Sequence, residues 1–104
     1  ASGKEGEAKK LYEDIILSKN KFYSILSLNT ILEKNLVEDK NKILKYFKIL
    51  ESLNYSDESE ELISLKKALY LLKQSDNKNA NILLKKLIEK NSKFKSIAQE
   101  ITSE

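Results

Sequence analysis

Two stretches of the chain decide its fold: residues 22–53, FYSILSLNTILEKNLVEDKNKILKYFKILESL, and residues 62–91, LISLKKALYLLKQSDNKNANILLKKLIEKN. Both place apolar residues at the spacing of an amphipathic helix, and both carry a polar break near the middle. At an offset of forty residues their apolar positions coincide: Ile25 falls on Leu65, Leu28 on Ala68, Leu32 on Leu72, Ile43 on Leu83, Leu44 on Leu84 and Phe47 on Leu87. This register predicts that the two stretches are copies of one helical hairpin.

The same periodicity predicts six helices in the whole chain. They cover about residues 5–18, 21–34, 38–53, 57–74, 77–91 and 92–102. Proline is absent and both glycines lie in the first six residues, whereas a β-rich fold needs several such residues at its turns. Ser56 or Asp57 is a predicted N-cap, and Ser75-Asp76-Asn77 is a predicted turn and cap. Linkers of two to five residues would make consecutive helices antiparallel neighbours, so we expect an all-α fold of stacked hairpins.

Length and composition indicate one domain over residues 1–104, with residues 1–6 as a flexible linker or a cloning remnant. Hydrophobic residues make up 40% of the chain and charged residues 34%, which is too apolar for a disordered protein. No apolar run approaches the ~18 residues that a transmembrane helix needs. Any membrane attachment is therefore expected to come from a segment outside this chain.

The charged residues argue against nucleic acid as a partner. All nineteen basic residues are lysines, and sixteen carboxylates among them reduce the net charge to +3. Lysine lacks the planar fork with which arginine binds phosphate or guanine. We expect these lysines to form a solvated surface, and tight, strongly salt-dependent binding to DNA or RNA would contradict that view.

Catalytic chemistry has few candidate residues in this sequence. Cysteine and histidine are both absent, which excludes Ser-His and Cys-His nucleophiles and thiolate metal sites. The acidic residues that follow Ser56 lack the spacing of a calcium loop and are more typical of a helix start. We therefore predict no enzyme activity, no cofactor and no metal site.

Several residues resemble the tetratricopeptide-repeat pattern. Phe94, Ile97-Ala98 and Ile101 look like a first-helix set, while Ala8 with Tyr12 and Ala80 with Leu84 look like second-helix sets. The chain departs from the pattern in its forty-residue spacing and at three positions that the family fills with small residues, namely Asn29, Leu69 and Lys40. The resemblance implies a divergent relative that forms a short right-handed α-solenoid and binds other proteins.

Within that superfamily, the stretches Ala8-Lys9-Lys10-Leu11-Tyr12-Glu13 and Phe94-Lys95-Ser96-Ile97-Ala98-Gln99-Glu100-Ile101 resemble the ancillary subunit of the bacterial Sec translocon. That family carries its soluble domain on the periplasmic face of the inner membrane, behind an N-terminal membrane helix. The resemblance implies a membrane-anchored periplasmic domain that takes part in protein translocation. Its partners would be the translocon, periplasmic chaperones or exported proteins.

The first helices of a tetratricopeptide-like stack line a concave groove, so the resemblance also implies a set of binding residues. Counted from Ile25, Leu65 and Phe94 as anchors, the exposed stripe consists of Tyr23, Leu26, Thr30, Ile63, Lys66, Tyr70, Lys95 and Gln99. Apolar residues at such positions suit the capture of a peptide or helix, and the lysines suit an acidic rim. Two of the eight, Leu26 and Ile63, could equally pack against adjacent helices.

Two functions from different classes follow from the sequence. The first is a non-enzymatic scaffold for protein–protein interaction, placed in the periplasm by the resemblance. The alternative is a purely structural helical bundle, such as the ectodomain of a bacterial surface lipoprotein. Backbone geometry separates them, because a closed bundle would not show hairpins that superpose at forty residues.

Overall fold

A computed structural model describes the backbone of residues 2–103 and the side chains of residues 4–102; Ala1 and Glu104 lie outside the described residues. Within that part of the chain all regular structure is helical, and the six predicted helices are confirmed. They are α1 (Ser2–Leu17), α2 (Lys21–Glu33), α3 (Lys40–Ser52), α4 (Asp57–Lys73), α5 (Asn77–Glu89) and α6 (Lys95–Ser103). Residues 2–6, predicted as a linker, belong to the first turns of α1.

Short polar side chains cap the starts of α2, α3, α4 and α5, as the sequence predicts at Ser56 and Asp76. Asn20 accepts hydrogen bonds from the backbone N–H groups of Phe22 and Tyr23, at 3.1 and 3.0 Å. Asp39 accepts two such bonds at the start of α3, while Ser56 and Asp76 each accept one from the residue three positions on. These bonds satisfy N–H groups that have no partner within the helix.

Four helices end in the same way, with a residue in the left-handed conformation. Lys19, Asn35, Ser75 and Asn91 have φ values of 61, 51, 63 and 56°. After each of them the next backbone N–H bonds to a carbonyl five residues back, as in Asn20 N to Ile15 O at 3.4 Å and Asp76 N to Leu71 O at 2.8 Å. This is the Schellman arrangement, here formed without glycine.

The described residues form two compact units. Unit 1 is Ala1–Asn54 and contains α1, α2 and α3; unit 2 is Tyr55–Glu104 and contains α4, α5 and α6. In unit 1, α1 packs extensively against α2, and α3 makes smaller contacts with both. In unit 2, α5 packs against both α4 and α6.

Every helix contributes at least one buried apolar residue, and in the short α6 that residue is Ala98. In unit 2 the core is formed by Leu65, Ala68, Leu84, Leu87 and Ala98, with Leu72, Leu83, Ile88, Phe94 and Ile101 packed around it. In unit 1 the buried residues include Ile16, Leu28, Ile31, Ile43, Phe47 and Leu50. The prediction that Phe47 is a core residue is confirmed, and Phe94 packs against the core while remaining partly exposed.

The forty-residue register holds only for the first helix of each predicted hairpin. Residues 34–39 link α2 to α3, whereas only residues 74–76 link α4 to α5. The six-residue linker is longer than the predicted limit of five, and it shifts the second helix by three positions. The buried residues of α3 then correspond to those of α5 at a spacing of 37: Ile43 to Ala80, Phe47 to Leu84 and Leu50 to Leu87. The single register predicted across both helices is therefore wrong.

A different spacing relates the two units. The left-handed residues Lys19 and Ser75 are 56 positions apart, and so are Asn35 and Asn91. The N-caps Asn20 and Asp76 share that spacing, and α2 and α5 both have 13 residues. From the end of α1 to the end of α2, unit 1 therefore has the same turns and helix length as the corresponding part of unit 2.

Candidate protein-binding surface

The predicted binding residues of unit 1 all lie on α2. Tyr23 is 58% exposed and Leu26 is 60% exposed. Thr30, one turn further on, is half-buried, and its hydroxyl donates to the Leu26 carbonyl at 3.0 Å. Because positions three and four apart share a helix face, these residues form one continuous row.

The predicted binding residues of unit 2 are divided between α4 and α6. Ile63 is only 2% exposed, so the prediction that it is exposed is wrong. Isoleucine is among the residues most often buried in proteins. Lys66 and Tyr70 are half-buried and share a face of α4, while on α6 Lys95 is half-buried and Gln99 is exposed. Among these residues the structure shows no exposed apolar row like that of α2.

Phe22 was missed by the groove prediction, although it is 84% exposed, more than any other large hydrophobic side chain of the described residues. It is adjacent to Tyr23 and four residues before Leu26, so it extends the same face. We call Phe22, Tyr23 and Leu26 the α2 surface. The sequence signal that could have identified Phe22 was the composition of α2, in which apolar residues occur on every side of the helix rather than in one stripe.

The side of α2 opposite the α2 surface is buried, which leaves the α2 surface facing outward. Ser24, Ser27, Leu28 and Ile31 are buried. The two serines are small enough to let α1 approach closely, and the Ser24 hydroxyl lies 3.5 Å from the Ile15 carbonyl. Since other residues fill the inner side, more than half of each apolar side chain of the α2 surface remains exposed.

The equivalent helix of unit 2 shows that this position in the unit does not require apolar residues. At the 56-residue spacing, Phe22 corresponds to Lys78, Tyr23 to Asn79 and Leu26 to Ile82. Lys78 and Asn79 are exposed, and Ile82 is 45% exposed. Two of the three apolar side chains are therefore specific to unit 1.

Positive charge lies at the N-terminal end of the α2 surface. Lys19 and Lys21 are both exposed, and the sequence contains no carboxylate from residue 15 to residue 32. The Asn20 side chain already accepts from the backbone N–H groups of Phe22 and Tyr23 at this end of the helix.

Two open clefts lie elsewhere. One of about 530 Å³ in unit 1 is lined by Glu5, Gly6, Lys9, Lys34, Asn35, Leu36, Glu38 and Asp39. Another of about 320 Å³ in unit 2 is lined by Leu72, Asn77, Asn81, Ile101 and Thr102. Within the described residues, no group of three or more Asp or Glu side chains is placed to hold a metal ion.

Tyr46 has a strongly perturbed ionisation. Burial raises its pKa well above the ordinary value of 10.0, and a hydrogen bond from its hydroxyl to the Glu13 carboxylate raises the pKa further. A phenol with a raised pKa is a weaker acid. The hydrogen bond between Tyr46 and Glu13 links α3 to α1 inside unit 1. The pair is therefore a structural contact.

No family model, curated protein or solved structure matches this chain. Among residues 2–103, no helix has the length and apolar character needed to cross a bilayer.

Proposed function

We propose that this chain is a non-enzymatic protein–protein interaction module that binds segments of other proteins through the α2 surface. The observation that carries the proposal is the exposure of three adjacent large apolar side chains, Phe22, Tyr23 and Leu26, on a helix whose opposite side is already packed. A helix that is apolar on all sides is typical of one buried on all sides, and the outer face of α2 is solvent-exposed in the isolated chain.

The size of the α2 surface fits a reversible interaction. Burying one large apolar side chain contributes roughly 1.5–3 kcal/mol, so three contribute about 6 kcal/mol. Part of that gain is offset by the lost motion of the two partners, which costs at least about 4 kcal/mol. The α2 surface therefore provides an anchor, and further contacts around it would be needed for tight binding. Phenylalanine, tyrosine and leucine supply large contact areas at low cost in side-chain entropy.

The tetratricopeptide-like resemblance supports the same kind of role. Three-residue linkers between α1 and α2 and between α4 and α5 support antiparallel neighbours in each unit, the arrangement of helical hairpins. The narrower resemblance to the ancillary translocon subunit rests on residues 8–13 in α1 and 94–101 at α6. It adds to the proposal a periplasmic setting, with the translocon, chaperones or exported proteins as partners.

A structural helical bundle, such as a surface lipoprotein ectodomain, is the second candidate. The observation in its favour is the break in the forty-residue register between α2 and α3, because an open stack of equivalent hairpins would keep that register. A structural bundle would use its surface only for solubility, and it would capture no protein through α2.

A pull-down with paired variants tests the proposal. Phe22→Ala with Leu26→Ala removes most of the α2 surface, and Ile82→Ala removes the one apolar residue at the equivalent place on α5. We expect proteins captured by the native chain to be retained by Ile82→Ala and reduced at least about tenfold by the double variant, a loss of about 1.4 kcal/mol or more. Equal capture by all three chains would reject α2 as the binding surface, and no capture by the native chain would favour the structural bundle.

A further inference from the structure

An open cleft in unit 1 lies between residues 5–9 of α1 and residues 34–39, which link α2 to α3. We call it the unit 1 cleft. Its volume of about 530 Å³ is within the range of ~300–1,000 Å³ that is typical of small-molecule sites. Five of its eight lining residues are charged, three negatively and two positively, so the cleft suits a polar ligand.

Most of the charged side chains in the unit 1 cleft are available to a ligand. Asp39 is not, because its carboxylate caps α3 by accepting two backbone N–H groups. The other four form no ion pair and no side-chain hydrogen bond with any described residue: Glu5, Lys9, Lys34 and Glu38. Glu5 and Lys9 have the spacing of an ion pair on one helix face, and even these two do not pair. The cleft therefore presents free charges of both signs.

The equivalent place in unit 2 is packed with apolar side chains. Because α1 and α4 end 56 positions apart, Lys9 corresponds to Leu65. Leu65 is only 6% exposed and belongs to the core of unit 2. By the same spacing Gly6 corresponds to Leu62, which is half-buried. The fold of the unit therefore does not require a charged cleft at this place, and the cleft is a property of the residues of unit 1.

Glu5 lacks the hydrogen-bond donor that its counterpart in unit 2 possesses. At the 56-residue spacing Glu5 corresponds to Glu61, which accepts a hydrogen bond of 2.6 Å from the Ser92 hydroxyl. Ser92 corresponds in turn to Leu36, whose side chain has no donor. The carboxylate that unit 2 uses to join two of its own segments is thus left free in unit 1, at the edge of the cleft.

Gly6 contributes to the opening of the cleft. Glycine within a helix is less favourable than alanine, so its presence in α1 lowers the stability of that helix. A Cβ atom added at Gly6 would meet no atom within 4 Å, so packing does not require glycine there. Gly6 and Lys9 are three residues apart and share a helix face. The missing side chain leaves room beside the lysine.

We infer that the unit 1 cleft binds a small zwitterion, namely a free amino acid or a short peptide with both of its termini free. The ammonium group of the ligand lies beside Glu5 and Glu38, and its carboxylate lies beside Lys9 and Lys34. Leu36, which is half-buried in the lining, provides an apolar contact for a ligand side chain. This site is separate from the α2 surface and does not depend on the proposed function.

Ligands with charge of one sign suit the cleft less well. A diamine or polyamine would place ammonium groups beside the two lysines, and a phosphate would meet the carboxylates. A divalent cation needs several carboxylates around one point, and no such group exists within the described residues. A zwitterion pairs with both signs at once.

Titration of the full chain with alanyl-leucine, its N-acetyl form and its C-terminal amide provides the test, with free leucine as a shorter zwitterion. Backbone amide shifts in two-dimensional NMR report both the affinity and the place of binding. We expect alanyl-leucine to bind with a Kd of about 1 mM or below and to shift residues 5–9 and 34–39. Each blocked form should bind about fivefold more weakly, because it loses the pairs that one of its charges makes. Comparison with free leucine shows whether one residue is enough.

Paired variants make the assignment specific. Lys34→Met removes one cation of the cleft, and Lys90→Met removes the exposed lysine at the equivalent place in unit 2. Lys34→Met should weaken alanyl-leucine about threefold and leave the amide unaffected, while Lys90→Met should change neither. Gly6→Leu gives unit 1 the residue that unit 2 carries, so it should narrow the cleft and weaken alanyl-leucine at least about tenfold. Circular dichroism checks the fold of each variant, and Lys34→Met decides the result if Gly6→Leu does not fold.

Several results would overturn the inference. One is the absence of shifts at residues 5–9 and 34–39 with either zwitterion up to about 10 mM. Another is equal affinity for alanyl-leucine and its amide, or tighter binding of 1,4-diaminobutane, since the cleft would then select cations. Equal losses in Lys34→Met and Lys90→Met would place binding outside the cleft. Phe22→Ala with Leu26→Ala should leave the titration unchanged, so the outcome is independent of the α2 surface.

Discussion

Tyr46 shows how a single side chain can connect two helices of unit 1. Its ring is buried, and its hydroxyl donates a hydrogen bond to the Glu13 carboxylate of α1. Replacing Tyr46 with Phe removes the bond and leaves a partly buried carboxylate without that donor. We expect a loss of about 2 kcal/mol in the free energy of unfolding at pH 7, measured by urea denaturation. An unchanged midpoint would show that solvent replaces the bond at no cost.

The raised pKa of Tyr46 also predicts a dependence on pH. Because the pKa is higher in the folded than in the unfolded chain, the folded chain holds the proton more strongly above pH 10. The stabilisation is complete below that pH and is lost as the pH rises further. Tyr46→Phe should therefore lose less stability than the native chain between pH 10 and pH 11, and an equal loss in both chains would contradict the assignment.

Individual residues differ in how far the sequence could predict their environment. Phe47 falls on the apolar stripe of its helix, so its burial follows from periodicity alone. The contact between Tyr46 and Glu13 joins residues 33 positions apart and depends on how α1 and α3 approach each other, which periodicity does not specify. Phe22 also escaped prediction, because the stripe counted from Ile25 includes Tyr23, Leu26 and Thr30 but not the residue three positions before that anchor.

Among the structural elements, the helix ends offer the sharpest test. Ser75 lies in the left-handed region at a position where glycine is usual, and a side chain there costs about 1–2 kcal/mol. Ser75→Gly should raise the free energy of unfolding by about 1 kcal/mol, after the greater flexibility of glycine in the unfolded chain is subtracted. Chemical denaturation of the full chain measures the change.

Asn91 provides the matched control, because it occupies the same position at the end of α5. Asparagine tolerates the left-handed region better than serine does, so Asn91→Gly should change the stability by less than about 0.5 kcal/mol. If both glycine variants were destabilised, backbone strain at these turns would be smaller than the entropy that glycine adds to the unfolded chain.

The helices were predictable from the sequence, whereas their register was not. Six amphipathic segments separated by Asn, Ser and Asp indicate six helices, and the observed ends differ from the predicted ones by only a few residues. A shift of three positions, however, keeps a residue on the same helix face. Ile43 can therefore be aligned with Leu83 or with Ala80 and still match an apolar residue. Only the lengths of the linkers decide between them.

At the scale of the whole molecule, α5 of unit 2 provides an internal comparison for the α2 surface, because it occupies the equivalent place at a spacing of 56 residues. Sequence reasoning, counting from Ile25, included Tyr23 and Leu26, and the structure leaves both side chains more than half exposed. It failed at Ile63 because a stripe drawn from a presumed groove cannot show which positions neighbouring helices cover. The correspondence of the turns at 56 residues became visible only from the backbone, because few side chains match at that spacing.

That correspondence leads to a final prediction about what the α2 surface is for. Phe22→Lys combined with Tyr23→Asn gives unit 1 the residues that unit 2 carries at the same places. If the apolar side chains serve binding, their replacement should change the free energy of unfolding by less than about 0.5 kcal/mol, as is usual for exposed positions. Leu28→Ala on the buried side of the same helix should cost about 2–5 kcal/mol. Thermal and urea unfolding of the native chain, the double variant and Leu28→Ala measure these changes in the free energy of unfolding. A loss in the free energy of unfolding of the double variant comparable to that of Leu28→Ala would mean that Phe22 and Tyr23 stabilise the fold itself. Their apolar side chains would then not require a binding partner to account for them.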